Sequence, residues 1–365
     1  MKNTELFNVK LEPQRVSSLP EYDAQIIYLK PDGFEYNQRA FWFIFEWTLG
    51  QILARHIRAK SVKLLMEAIA SGAYNPEGMD LDDGQAKILS RARRTSDRWM
   101  LPELHELRTR FFNHDSPLLQ HFVRYVSQSQ SLDDVYNATE AFSFNGRPLI
   151  PQAGAADLWA RFYLSCPNGQ AVRNRYRMVA RLYADYLGGG NTISVACGSA
   201  QPILHARSEL KKRGQEAGEK FVLTDLANES LALARLRAEQ AGVSEEAEFH
   251  QLSFEDIMEL VNGSRYDLVE ACGILDYLAD NQFISLVENS LESLTPQGQI
   301  MVSNMMPTRG AQLLRDIYNW EIIYRPATRI AELVHFAGGR DIKVYVEPWG
   351  IHSVVTATRR RNKDN

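Results

Sequence analysis

The sequence predicts an α/β protein whose second half forms a doubly wound, mostly parallel seven-stranded sheet. After residue 165, five short apolar runs alternate with helical segments, which is the rhythm of right-handed βαβ crossovers. Two β-rich runs near the end, joined by the tight EPWGI turn, predict an antiparallel hairpin at the sheet edge. Before residue 165, apolar residues recur every three or four positions, which is typical of helices. We therefore expect a mainly helical cap domain over residues 1–165 and the sheet domain over residues 166–365.

The individual elements follow from this alternation. Strand runs are rich in β-branched and aromatic residues, whereas the segments between them place apolar residues at helical spacing. The expected strands are residues 192–196, 220–224, 248–252, 266–271, 298–304, 343–346 and 353–358. The expected helices are residues 169–187, 202–213, 228–241, 254–262 and 280–294, preceded in the first domain by about 38–71 and 82–128.

Composition and charge argue against several classes of partner. The chain has 41 Lys and Arg against 45 Asp and Glu, a net charge of −4, so we expect no nucleic acid partner. No apolar stretch approaches the roughly 20 residues that span a bilayer, and the start lacks the apolar core of a signal peptide, so we expect no membrane partner. Cys166, Cys197 and Cys272 are an odd number without close pairs, which favours a reducing, cytoplasmic location.

Small molecules remain the expected partners, with a monomer or a homodimer left open. The eight histidines form no HExxH pair and the cysteines have no zinc-ligand spacing, so we expect no metal.

The ends of the first two predicted strands carry the main candidate residues, because a parallel sheet binds ligands beyond the carboxyl ends of its strands. The first strand ends in Ala196-Cys197-Gly198, where small residues allow a tight turn and the close approach of a ligand. The second ends in Asp225, followed by Leu226, and an acid there can accept two hydrogen bonds from a ribose diol. A glycine often marks a strand-to-helix turn, and Asp225 can instead cap the next helix. Together, Gly198 and Asp225 favour a nucleoside ligand.

The next two strands end at the same edge. The third is followed by Ser253 and Phe254, where a backbone N–H and a nearby polar side chain suit the edge of an adenine ring. The fourth ends in Cys272-Gly273. We therefore expect these four residues to border the same ligand.

Three polar residues are candidates for chemistry. Asp276 follows the fourth strand and can bind an amine or act as a base, with helix capping as the alternative. Asn304 ends the fifth strand and can donate to and accept from a substrate without carrying charge. His352 lies in the closing hairpin and has a suitable intrinsic pKa for a base, although a lone histidine in a turn is usually just a turn residue.

These motifs, taken in order, resemble those of class I methyltransferases that use S-adenosylmethionine (SAM). Cys197-Gly198 is similar to the glycine-rich first motif, Asp225 to the ribose-binding acid and Ser253-Phe254 to the adenine-contacting turn. YDLVEACGILDYL is similar to the fourth motif and LTPQGQIMVSN to the fifth strand. The resemblance covers residues 168–359 and implies a Rossmann-like methyltransferase fold with SAM as the cofactor. SCPNGQAVRNR, ACGILDYLAD and NWEIIYR further resemble a bacterial subgroup that includes 3-hydroxy-fatty-acid methyl ester synthases and azetidine-2-carboxylate synthases.

The sequence departs from the family's pattern around the first motif. Ser194 stands where an acid is usual, Ala196 where a glycine is typical, and Pro202 where the subgroup often has an acid that orders the methionine end of SAM. That end must therefore be held differently. In the preceding helix, Arg173 can pair with the methionine carboxylate, and Tyr176 can place its ring against the sulfonium. Plain amphipathic packing of this helix is the alternative for both residues.

Three functions remain open. The first is methyl transfer to the carboxylate, hydroxyl or amine of a small molecule in bacterial secondary or signalling metabolism, with Tyr176, Asp276 and Asn304 as catalytic candidates. The second is cyclisation of SAM to azetidine-2-carboxylate and methylthioadenosine, and the third is a SAM-binding regulator without turnover. NAD is disfavoured because GxGxxG is absent after the first strand. The aromatic run that either lines an acceptor pocket or packs in the core is Phe41, Trp42, Phe43, Phe45 and Trp47.

Overall fold

A computed structural model describes residues 9–31, 167–187, 190–215, 221–307 and 321–359. The strands are β1 (Pro13–Leu19), β2 (Ala24–Leu29), β3 (Thr192–Val195), β4 (Phe221–Asp225), β5 (Ala247–Gln251), β6 (Tyr266–Cys272), β7 (Leu294–Met305), β8 (Gly339–Val346) and β9 (His352–Arg359). The α-helices are α1 (Pro167–Leu187), α2 (Gln201–Lys212), α3 (Asn228–Ala241), α4 (Phe254–Asn262), α5 (Asp280–Glu292) and α6 (Ala327–Phe336). Short 3-10 helices cover Pro20–Tyr22, Ser244–Glu246 and Leu275–Tyr277.

Several expectations lie outside the described residues: the helices at 38–71 and 82–128, the aromatic run at 41–47, and Cys166. The boundary at residue 165 therefore stays a prediction.

One sheet contains all the described strands, in the order β1-β2-β8-β9-β7-β6-β3-β4-β5. Strands β3 to β7 are parallel to one another, and β9 runs antiparallel between β7 and β8. The doubly wound, mostly parallel architecture is confirmed, but the expected count of seven strands is wrong. The additional hairpin β1–β2 comes from residues 13–29, and β2 pairs in parallel with β8. This pairing gives partners to backbone groups on β8 that would otherwise form an open sheet edge.

Two helical layers cover the sheet. Helices α1, α2 and α3 pack on one face, where they bury residues such as Leu182, Leu204 and Ala234 against Leu223 and Met301 of the strands. Helices α4, α5 and α6 pack on the other face around the odd-numbered residues of β3 and β6. Because side chains alternate across a strand, β3 and β6 are buried on both faces.

Local sequence explains where several helices begin. Helix α4 starts after a capping box in which the Ser253 hydroxyl accepts from Asp256 N and the Asp256 carboxylate accepts from Ser253 N. Helix α2 carries Pro202 in its first turn, where the missing N–H costs nothing. The five helices expected after residue 165 are all present, and α6 is an additional one.

The direction of the chain reverses next to β3. From β3 it proceeds to β4 and then β5 on one side, and it returns to β6 on the other side. The connections after β3 and β6 therefore diverge, which opens a crevice at the carboxyl ends of these strands. Helix α1 leads directly into β3, so its first turns lie at the same edge.

Candidate functional site

Gly198 and Asp225 meet at the carboxyl edge of the sheet, as expected. The Gly198 backbone N–H donates to Asp225 Oδ2 at 3.0 Å, and Ala227 N–H donates to Oδ1 at 2.9 Å. Both residues are partly exposed. The helix-capping alternative for Asp225 is not what the structure shows, because α3 has no side-chain cap and the carboxylate instead joins two loop backbones.

The turn after β3 is tight and open on one side. Ala196, Gly198 and Ala200 have φ values of 52°, 55° and 51°, in the left-handed region that glycine adopts most easily. Cys197 N–H donates to Thr224 O at 2.9 Å and ties the turn to β4, and burial raises the pKa of the Cys197 thiol. A Cβ added to Gly198 would meet no atom within 4 Å among the described residues. A ligand can therefore approach the Gly198 backbone closely.

The residues expected to contact an adenine ring are Leu226, which follows Asp225, and Ser253 and Phe254 at the start of α4. Leu226 is 69% exposed, which is unusual for a leucine next to a buried strand. Phe254 is half-buried against the core. The hydroxyl and the backbone N–H of Ser253 are both engaged in the capping box, which leaves the Phe254 backbone as the group at this turn that can meet a ligand.

The end of β6 contains a charged residue that the sequence analysis missed. Glu270 is the direct register partner of Ser194 on β3. Its carboxylate accepts from the Ser194 hydroxyl and, at 2.8 Å, from Cys272 N–H. Burial raises the pKa of Glu270, against the lowering effect of these hydrogen bonds and of Arg175. The available signal was that Glu270 interrupts the apolar residues that follow Asp267 in the run YDLVEAC.

Asp276 and Asn304 are brought together, but in a closed network. Asp276 Oδ1 accepts from Asn304 Nδ2 and from Met305 N–H, both at 2.7 Å. Asn304 Nδ2 also donates to Ile323 O at 3.1 Å, and Asn304 Oδ1 accepts from Arg325 at 2.9 Å. The Asn304 amide is thus engaged at both ends and links β7 to the segment after it. Arg325 was not expected from the sequence.

Helix α1 carries three buried arginines, Arg173, Arg175 and Arg177. Arg175 Nη1 lies 3.9 Å from the position a Cβ would take on Gly273, whose φ is 115°. Burial raises the pKa of Asp276, and the charge of Arg175 acts against this rise. Arg175, which was not predicted as a site residue, is therefore a cation near the end of β6. The pairing of Arg173 with a methionine carboxylate stays a prediction.

Tyr176 lies on the buried face of α1. Its hydroxyl is hydrogen-bonded to His205 Nδ1 on α2, and the two rings meet edge to face with centroids 5.9 Å apart. The ring packs in the core cluster that also contains Ala200 and Ile203. These contacts match the packing alternative, and they leave Tyr176 adjacent to the turn after β3.

The β8–β9 turn is organised by Glu347. Its buried carboxylate accepts from Trp349 N–H at 2.9 Å, from Ile351 N–H at 2.7 Å and from Asn174 Nδ2 of α1 at 3.0 Å. Next to it, His352 is 1% exposed, and neither ring nitrogen has a hydrogen-bond partner within the described part of the chain. Burial, and to a lesser degree the charge of Arg175, holds the pKa of His352 well below its usual value.

Features elsewhere are separate from this edge. A groove of about 470 Å³ opens at the opposite ends of the strands, between Asp23, Gln299 and Lys343, and contains none of the candidate residues. Within the described ranges, no group of three His, Cys, Asp or Glu side chains is placed to hold a metal ion. The helices of those same ranges include none with the length and apolar character needed to cross a bilayer.

Comparison with known protein families finds a match for part of the chain that contains this edge. Residues 188–341 match the family model of a methyltransferase domain. This part of the chain is similar to methyltransferase domains. The matched segment contains the turn after β3, Asp225, Glu270 and Asp276, and it excludes α1 and the β8–β9 turn. No curated protein matches the chain.

Solved structures add information on the fold. A possible exported protein from Bordetella parapertussis is similar over 83% of this chain and 98% of its own, at 15% identity and a TM-score of 0.52. An O-methyltransferase family protein from Burkholderia thailandensis shares 14% identity over 86% of this chain and 99% of its own, with a TM-score of 0.45. The magnesium protoporphyrin IX methyltransferase of Synechocystis shares 14% identity over 57% of this chain and 95% of its own, with a TM-score of 0.41. At such identities, the Bordetella structure shows a shared fold.

Proposed function

We propose that this protein is a SAM-dependent methyltransferase that acts on the carboxylate, hydroxyl or amine of a small molecule. The observation that carries the proposal is the hydrogen bond of 3.0 Å between Gly198 N–H and Asp225, beside an open glycine turn where the chain reverses direction. This arrangement places a carboxylate and a bare backbone at the edge where parallel sheets bind nucleosides. The family match over residues 188–341 supports the same conclusion.

The residues at this edge fit the adenosine part of SAM. Each Asp225 oxygen accepts one backbone hydrogen bond, which leaves each with a lone pair for a ribose hydroxyl. Leu226 offers an exposed apolar side chain directly after the acid, suited to the face of an adenine ring. The Phe254 backbone at the start of α4 provides the polar contact on the far side of the ring.

Buried polar atoms fit the remainder of the ligand and its acceptor. The Asn168 side chain, in the first turn of α1, has no hydrogen-bond partner for either amide atom within the described ranges, and the same holds for both ring nitrogens of His352. Such groups are costly to bury without partners. Since α1 and β9 both meet the carboxyl edge, a polar ligand there would satisfy them.

SAM, when bound, supplies a methyl carbon made electrophilic by the adjacent sulfonium. The protein's residues hold the acceptor in line with that carbon and keep water away. Burial holds the pKa of His352 well below its usual value, so the ring is neutral near pH 7 and can exchange hydrogen bonds with a bound acceptor. A carboxylate acceptor is already ionised near pH 7 and needs no base.

Product analysis tests this function. The purified protein is incubated with SAM alone and with SAM plus pools of small hydroxy acids and amines, and adenosyl products are measured by mass spectrometry. S-adenosylhomocysteine that forms only in the presence of an acceptor supports methyl transfer. Methylthioadenosine that forms from SAM alone identifies the cyclisation reaction instead. SAM binding with neither product identifies a non-catalytic regulator.

A further inference from the structure

Glu270 is a charged residue on a buried face of the sheet. It lies on the same face of β6 as Leu268 and Cys272, and its register partner on β7 is Met301. Helix α1 covers this face. Its side chain is 5% exposed. Packing alone does not require an acid here, because a hydrophobic residue of similar size avoids the desolvation of a carboxylate.

The position of Glu270 relative to Ser194 suggests a purpose for this charge. The two are register partners on neighbouring strands, and the Ser194 hydroxyl donates to the Glu270 carboxylate. Ser194 stands where the resembled family carries an acid on the first strand of the sheet domain. The carboxylate missing from β3 is thus present one strand away, on β6, at the same height in the sheet.

We propose that Glu270 binds the amine of the amino-acid end of SAM. This proposal rests on the proposed function, because it assumes that the ligand carries an amino-acid end.

The chemistry of the surroundings supports an ammonium ligand. A carboxylate has about four acceptor positions. Those of Glu270 receive the Ser194 hydroxyl and Cys272 N–H, one on each oxygen, so each oxygen can accept from a further donor. Arg175 supplies the opposite charge at the same strand end, where its Nη1 lies 3.9 Å from the position a Cβ would take on Gly273. An amino-acid end carries one positive and one negative charge near pH 7, so a buried acid beside a buried arginine complements it.

Binding measurements with matched analogues test the assignment. Isothermal titration calorimetry compares wild type and Glu270→Gln with S-adenosylhomocysteine and with its deamino analogue, which keeps the carboxylate and lacks the amine. We expect Glu270→Gln to weaken S-adenosylhomocysteine at least tenfold and to leave the deamino analogue within twofold of wild type. Glu229→Gln, at the exposed start of α3, is the matched control and should change neither affinity.

A double variant guards against a purely structural effect. Ser194→Asp combined with Glu270→Ser moves the carboxylate back to β3 at the paired position, and we expect it to restore preference for S-adenosylhomocysteine over the deamino analogue. Wild-type affinity for S-adenosylhomocysteine in Glu270→Gln, or equal losses for both ligands, overturns this proposal alone. If wild type binds none of S-adenosylhomocysteine, its deamino analogue, methylthioadenosine and SAM, the proposed function is overturned together with this proposal.

Discussion

Replacing Asp276 with asparagine separates the charge of this residue from its hydrogen bonds. The side chain is 4% exposed, and its Oδ1 accepts from Asn304 Nδ2 and Met305 N–H, both at 2.7 Å. Asparagine keeps the size of the side chain and a carbonyl oxygen that can accept both bonds. Asp276→Asn therefore removes a buried negative charge while the link between β6 and β7 persists.

The size of the effect follows from the pKa of Asp276. Burial raises that pKa from its ordinary value of 3.8 to about 6, although Met305 N–H, Arg175 and Arg325 act in the opposite direction. The folded state thus binds the proton more tightly than the unfolded state does. The group's contribution to stability is greatest below about pH 4 and falls as the pH rises through 6. A difference of about two pKa units corresponds to about 3 kcal/mol of unfolding free energy. Wild type loses most of this stabilisation between pH 4 and 7, whereas Asp276→Asn has no titrating group at this position to lose it.

Urea unfolding followed by circular dichroism at pH 4, 5, 6 and 7 measures this difference. All other titrating groups are shared, so the free energy of unfolding of Asp276→Asn minus that of wild type isolates residue 276. We expect this difference to rise by up to about 3 kcal/mol across the range. Asp276→Ala, which leaves Met305 N–H and the Asn304 amide without their acceptor, should lose about 1–3 kcal/mol per group at every pH. A difference between Asp276→Asn and wild type that does not change with pH would refute the reasoning.

Three further predictions concern the nucleoside edge and the hairpin. Asp225→Asn should weaken SAM binding by about 1.5–3 kcal/mol because charge-assisted hydrogen bonds to the ribose are lost, as measured by calorimetry with Glu229→Gln as control. An unchanged dissociation constant would contradict the ribose role. Gly198→Ala should lower the free energy of unfolding by about 1 kcal/mol, because the φ of 55° at this position disfavours alanine. It should weaken SAM binding by more than the equivalent of about 1 kcal/mol, since the added methyl group points into the open side of the turn. Thermal unfolding and calorimetry compare the two effects, and SAM binding at wild-type strength would count against ligand approach there. Glu347→Ala should lower the free energy of unfolding by about 3 kcal/mol or more, because several buried donors lose their acceptor, and Glu347→Gln should lose less. Chemical denaturation checks this, and a loss below about 1 kcal/mol for Glu347→Ala would show that the turn does not depend on the carboxylate.

The fold of the second half was predictable because each of its elements shows its own period. Strands such as β4 are short, mostly apolar runs, and helices such as α4 repeat apolar residues every three or four positions. The hairpin β1–β2 was missed for a physical reason. Strand β1 is mostly exposed and polar, and β2 is only six residues long, so the pairing of β2 with β8 is a long-range contact that local periodicity does not encode. Helix α6 has a helical period in its sequence but was not predicted.

The candidate site was predictable only where topology decides position. Residues at strand ends must share the carboxyl edge, which is why Gly198 and Asp225 were paired correctly. The side of a helix that meets this edge depends on its rotation, which sequence does not fix. Arg175 was not predicted for this reason, although it lies beside Gly273 at the end of β6. The hydrogen bonds of Asn304 to Ile323 and Arg325 were likewise not predictable, because they depend on how the chain after β7 folds back.

Four buried titratable groups near the carboxyl edge, taken together, indicate a ligand more strongly than any one of them does alone. Burial raises the pKa of Glu270, Asp276 and Glu347 and lowers that of His352, so each of these groups is less stable there in its charged form. Apolar residues of similar volume would pack at least as well. Glu347 has a structural role, because it binds the backbone of its own turn. Glu270 accepts from the Ser194 hydroxyl and from Cys272 N–H, whereas neither ring nitrogen of His352 has a hydrogen-bond partner among the described residues. Strongly shifted pKa values in a crevice are typical of binding and catalytic groups. Glu270 lies near the end of β6, and His352 lies opposite Met305 at the end of β7. Their burial at this edge is best explained by a charged, polar ligand held between α1 and the strand ends.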